Sequence, residues 1–219
     1  MQVAKLSWTV VALSLAAWSG VAAAAEQDLS VNARLLLAAR NADAAGVDRA
    51  LKAGAAANAR NRLGETALLI ALKKNDLAMA KTMLDAGADI NLAAVNGVTP
   101  LMAAAYGGQT EMAATLLARN ANIGAQDRLK KNAMTYAAGE GHTEIVLMLL
   151  AKGVDPNAVF ENDLTALMWA AGNGRAATVR ALLAAGAKPD PRDNRGKTAL
   201  EMAREGGHTE VVALLDARP

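Results

Sequence analysis

The sequence predicts an all-α solenoid of six helix-turn-helix repeats with projecting turn or hairpin loops, and three ladders of residues at a step of 33 predict it. Thr66, Thr99, Asn132, Thr165 and Thr198 form the first, each followed two residues later by Leu or Met (Leu68, Leu101, Met134, Leu167, Leu200). Gly54, Gly87, Asn120, Gly153 and Gly186 form the second, and Asn75, Gly108, Gly141, Gly174 and Gly207 the third. A fixed period of this length marks units that cannot bury their apolar faces alone and must stack.

Each ladder has a physical reading within one unit. Thr or Asn on the first ladder is a helix N-cap, its side-chain oxygen accepting an orphan amide of the first turn. Pro100 follows Thr99 at the first helical position, where a missing amide costs nothing. A short apolar helix follows, as in Pro100 to Tyr106, and Gly or Asn on the third ladder ends it by tolerating a left-handed backbone. A second, amphipathic helix comes next, for instance His142 to Lys152 with Ile145, Val146, Leu149 and Leu150 on one face. The second ladder closes it. The residues that remain are rich in Asn, Asp, Gly and Pro and predict an extended turn.

Thr99-Pro100-Leu101-Met102-Ala103-Ala104-Ala105, Gly141-His142-Thr143-Glu144-Ile145-Val146, Leu149-Leu150 and Gly87-Ala88-Asp89-Ile90-Asn91 together resemble the ankyrin repeat. The resemblance runs from about Asn32 to the C-terminus as six repeats. Departures from the family pattern are local. Ala67, Ala133, Ala166 and Ala199 replace its proline, and Met102, Thr135 and Met168 stand where its histidine usually sits. Lys130 and Asp163 replace the loop glycine kept at Gly64, Gly97 and Gly196, which bears on the geometry of those two loops.

The terminal repeats read as caps. Glu201, Arg204 and Asp216 place charge where interior repeats carry apolar or small residues, so a seventh repeat would bury it unpaired. The first repeat is degenerate, with Ala33 at the cap position, Gly46 inside its second helix, and Arg34 and Arg40 exposed. Ahead of the array lie a leading tail, 26–31, and a segment, 1–25, with the marks of a secretory signal peptide. Lys5 opens it, Leu6 to Ser19 is apolar, and Ala23-Ala24-Ala25 precedes Glu26 as a small-residue cleavage site. The competing reading is an uncleaved anchor, because Leu6 to Ala25 is uncharged for long enough to span. Cleavage predicts a periplasmic protein. The chain has no Cys, so neither a disulfide framework nor lipid attachment through cysteine is open to it.

Composition narrows function further. Removing residues 1–25 takes away Lys5, leaving 22 basic and 21 acidic residues, with no basic excess of the kind nucleic acid requires. No nucleic acid, cofactor or metal is expected as a partner, and no membrane once the leader is removed. His142 and His208 follow a helix-ending glycine at the same repeat position and read as structural. Metal-ligand spacing, a nucleophile elbow and a phosphate loop are all missing from the sequence, so no enzyme is expected. The methionines fall mostly where other repeats carry Leu, Ile or Val, and predict flexible core filling.

Only Tyr106, Tyr136, Phe160 and Trp169 are aromatic after residue 25. By the family resemblance Tyr136 and Trp169 take the variable slot of the inner helix, Tyr106 a variable slot near the end of the inner helix before them, and Phe160 a loop. Those slots line the concave groove that the resemblance implies for binding. The aromatics are therefore candidate anchors, with gap filling between inner helices as the alternative. Arg62, Lys73, Arg128 and Arg195 would form a basic rim suited to a protein with an acidic patch. The expectation is a chain monomeric when free that binds a protein through its groove. A small-ligand or metal chaperone on the same scaffold, or a membrane-tethered organiser, are the alternatives.

Overall fold

The computed structural model describes residues 29–217; the proposed signal peptide lies outside the described residues. Among the described residues twelve α-helices form six pairs: α1 Val31–Arg40 with α2 Ala44–Lys52, α3 Ala67–Lys73 with α4 Leu77–Asp85, α5 Pro100–Tyr106 with α6 Thr110–Ala118, α7 Ala133–Glu140 with α8 Thr143–Ala151, α9 Ala166–Gly172 with α10 Ala176–Ala184, and α11 Ala199–Glu205 with α12 Thr209–Asp216. The first helix of each pair packs on the first helices of its neighbours, making an inner row. The loops 53–66, 86–99, 119–132, 152–165 and 185–198 project beside it as fingers.

The first ladder caps the inner helices. Thr66, Thr99, Asn132, Thr165 and Thr198 each accept the amide three residues on, at 3.0 to 3.3 Å. The position where the family keeps histidine completes a reciprocal box. Met102 Sδ and Met168 Sδ accept the amides of Thr99 and Thr165, Thr135 Oγ1 that of Asn132, and Glu201 Oε2 that of Thr198. In the first repeat the cap is Ser30 instead of Ala33, so α1 gains a turn at its start. Arg34 is half-buried, not exposed, and its Nε has no acceptor.

The left-handed positions are occupied as the ladders require, with Gly141 at φ 85° and Gly153 at φ 90°. Lys130 and Asp163 take φ 55° and 59°, so the fingers keep the turn that glycine gives elsewhere. One continuous apolar core runs through the stack, with Leu35, Leu68, Leu101, Met134, Leu149 and Leu167 fully buried. Leu150 is only half-buried; of the four apolar residues expected on its helix face, Ile145, Val146 and Leu149 are the buried ones.

Two side-chain ladders fasten repeat to repeat. Gln109, His142, Arg175 and His208 start the outer helices and reach back to inner-helix carbonyls. They bond the carbonyl oxygens of Leu72 at 2.6 Å, Tyr106 at 3.0 Å, Gly139 at 3.0 Å and Gly172 at 3.0 Å. This satisfies C-terminal carbonyls that a helix leaves open, and gives both histidines a structural task. Along the fingers, Asn58, Asn91 and Asn157 accept the amides of Asp89, Asn122 and Lys188 at 2.7 to 2.8 Å. At the last repeat Arg204 makes a two-point ion pair with Asp216 at 2.8 and 2.9 Å, both side chains remaining about half exposed.

Candidate functional site

The inner row and the fingers meet along one side, and Tyr106, Tyr136 and Trp169 gather there. Thr99 caps α5 and Pro100 starts it, which places Tyr106 in the last turn of the helix, 58% exposed. The Tyr106 ring stands edge-on to Tyr136 with centroids 5.8 Å apart. Tyr136, half-buried on α7, donates its hydroxyl to Asp127 Oδ2 at 2.6 Å. Burial, and then the adjacent Asp127 carboxylate, push the Tyr136 phenol well above its ordinary range. Asp127 is itself buried and accepts the amides of Leu129 and Lys131 at 2.8 and 2.9 Å, fixing its finger to the inner helix.

Trp169 continues the aromatic strip on α9. It is half-buried, its Nε1 has no protein acceptor, and Lys131 lies over it with Nζ 4.4 Å from the ring centre. A concavity of about 410 Å³ lies on the Tyr106 side, lined by Val98, Met102, Tyr106, Gln109 and Tyr136 among others. A second, of about 420 Å³, lies on the other side of Trp169 against Met168, Met202 and Arg195. Three aromatic side chains on three successive inner helices thus separate two hollows.

The other candidates are arranged less uniformly than their spacing suggests. Lys73 Nζ is 2.6 Å from Glu65 Oε1, and Arg195 is 2.8 Å from the buried Asp193 carboxylate, so both charges are already matched. Burial works to raise the Glu65 carboxyl, but hydrogen bonds from Lys73 and Asn61 outweigh it and hold the group below the usual range. Phe160 is half-buried against the core instead of projecting. Arg62 and Arg128 are exposed at finger tips and make no ion pair among the described residues. Sequence reasoning passed over Leu63, Val95 and Leu129, which are 64%, 50% and 65% exposed at neighbouring tips. Their signal was an aliphatic residue inside an otherwise polar turn.

A family model for ankyrin repeats (3 copies) matches residues 35–127, 96–159 and 134–217, which together span well over half of the 219 residues. The chain belongs to the ankyrin-repeat family. No curated protein matches it in sequence. Ankyrin repeats are generally protein-protein interaction modules, and ankyrin proteins are typically non-enzymatic scaffolds. Among the described residues no group of three His, Asp or Glu side chains is placed to hold a metal ion.

Proposed function

We propose that this ankyrin protein is an exported, periplasmic binding module that holds a protein partner in its concave groove and has no catalytic activity of its own. The observation that carries the reading is Tyr106, an aromatic ring 58% exposed at the mouth of an apolar hollow. A large side chain held in the open gains little for folding, whereas a partner that covers it gains a rigid anchor. Tyr136 and Trp169 extend the contact, Arg62 and Arg128 offer cations to an acidic patch, and Phe160, half-buried against the core, takes a lesser part. Lys73 and Arg195, already paired, contribute shape and hydrogen bonds more than net charge.

The test compares proteins captured by wild type and by Tyr106→Ala from an extract of the cell envelope. The reading expects a partner whose affinity falls by about 2 kcal/mol or more in the variant, with the protein still folded and the thermal melt lowered only slightly by loss of the Tyr136 pair. Equal capture by both proteins overturns the groove assignment. The mass of protein recovered from the envelope tests export, since cleavage would leave Glu26 as the first residue.

A further inference from the structure

Seven large apolar side chains are strongly exposed among the described residues, and Leu63, Val95, Leu129 and Val159 are all on fingers. Leu63, Val95 and Leu129 belong to three successive fingers whose backbones are joined. The Val95 amide donates to the Leu63 carbonyl at 2.8 Å, and the Arg128 amide to the Asn96 carbonyl at 2.9 Å. Arg60 ties the first two fingers again, its Nη2 donating to the Ala93 carbonyl at 2.7 Å. The result is a braced ridge, aliphatic along its crest.

Charge on this ridge has one sign. Arg62 and Arg128 neighbour the exposed leucines, Lys130 follows Leu129, and none makes an ion pair among the described residues. Of the carboxylates on these fingers, Glu65 is held by Lys73, Asp127 is buried under Tyr136, and the exposed Asp89, six residues before Val95, accepts the Asn91 amide. The ridge also has a boundary. Among the described residues no backbone bond joins the third finger to the fourth, whose exposed Glu161 and Asp163 reverse the charge.

We infer that the crest of the first three fingers, Leu63, Val95 and Leu129 flanked by Arg62, Arg128 and Lys130, docks this protein on an anionic lipid surface. Charge complementarity selects the occupant: unpaired cations beside aliphatic tips match phosphate headgroups above hydrocarbon. The shape favours lipid over a folded protein. A protein anchor needs a fitted pocket, but the hollows described above are lined by other residues, and these side chains project singly from turn tips. A deformable bilayer accepts such tips, and the long Arg and Lys stems can lie along them with their charges at headgroup level. The contact is peripheral and needs no spanning segment; no helix among the described residues is long and apolar enough to cross a membrane. It goes beyond the expectation of no membrane contact and shares only Arg62 and Arg128 with the rim of the proposed groove.

The absence of native cysteine allows a local test. Val95→Cys, carrying an environment-sensitive NBD label, is mixed in the full chain with vesicles of phosphatidylglycerol and phosphatidylcholine, or of phosphatidylcholine alone. The same label at Leu147→Cys, exposed on α8, serves as the control. The inference expects a brighter, blue-shifted label at position 95 with phosphatidylglycerol only, reversed by high salt and silent at position 147. Arg62→Glu/Arg128→Glu should raise the lipid concentration for half response about tenfold or more. Circular dichroism checks that each protein is folded, and salt reversal reads the charge dependence without any substitution. No response at position 95, an equal response at position 147, or a response indifferent to both salt and charge reversal overturns the inference. So does a label that answers an acidic, leucine-containing peptide but no vesicle, which would make the ridge a protein-docking surface.

Discussion

Lys131 Nζ lies 4.4 Å from the centre of the Trp169 ring, so the largest side chain of the aromatic strip is partly covered by the finger beside it. The same ammonium is 5.7 Å from the Tyr136 centroid, and no carboxylate pairs with it among the described residues. The two rings therefore hold the cation in place of an acid. Lys131→Met keeps most of the stem packing and removes the charge. A double-mutant cycle of Lys131→Met with Trp169→Leu, read by urea unfolding, should give a coupling of about 0.5 to 1 kcal/mol. A coupling of zero would make the stacking incidental.

Tyr136 joins inner helix to finger through Asp127, and Tyr136→Phe removes only the hydroxyl that does so. The loss should be about 1.5 kcal/mol in urea unfolding, because the bond is to a buried carboxylate. The raised phenol pKa adds a pH signature. Keeping the phenol neutral contributes stability that is fully present below the ordinary value of about 10 and is lost as pH rises through the higher folded value. An absorbance difference titration between wild type and Tyr136→Phe should isolate one ionisation above that ordinary value.

What the sequence disclosed was whatever repeats in the backbone. Threonine caps and left-handed glycines recur because each unit bends the chain at the same places, so Thr165 and Gly141 could be assigned from spacing alone. Side-chain pairing does not follow the period. Lys73, the last residue of the short α3, reaches back along the helix to Glu65 in the finger before it, and Arg195 meets Asp193 within one finger. Phe160 occupies the slot of Asp127 and Asp193, yet as an apolar ring it turns toward the core where those carboxylates accept finger amides. The aromatic strip was legible as positions; its cover by Lys131 depends on one rotamer of the neighbouring finger.

The Glu65 carboxylate gives an acid-side prediction. Its folded pKa is held down, so it contributes stability that is complete above about pH 4.3, the ordinary glutamate value, and is lost as pH falls through the lower folded value. Glu65→Gln should therefore be the less stable protein at neutral pH, and the two should converge at strongly acid pH. The gap at neutral pH is expected to be a few tenths to about 1 kcal/mol, since Lys73 is partly solvated. Thermal melts across the acid range measure it. A gap that persists at the acid end would mean that the amide disturbs the finger by some other route.

Gly124 marks the one interruption in the asparagine ladder. Asn58, Asn91 and Asn157 each accept an amide of the next finger, but Gly124 occupies the equivalent place between Asn91 and Asn157 and offers no side chain to Asp155. The missing rung falls at the junction where no finger-to-finger backbone bond forms among the described residues. Across that junction the helices remain joined, through Arg175 to the Gly139 carbonyl and Thr143 to Thr178 at 2.8 Å. Gly124 is exposed, and a Cβ there would meet nothing closer than Asn122 Oδ1 at 3.6 Å. Gly124→Asn should restore the rung, adding about 1 kcal/mol from the hydrogen bond and a few tenths from the lost freedom of glycine in the unfolded chain. Urea unfolding reads the gain, and hydrogen exchange should show the Asp155 amide newly protected. Gly124→Ala separates the two contributions, because it reduces the unfolded-state freedom without supplying an acceptor. Equal gains from Ala and Asn would show that the rung did not form.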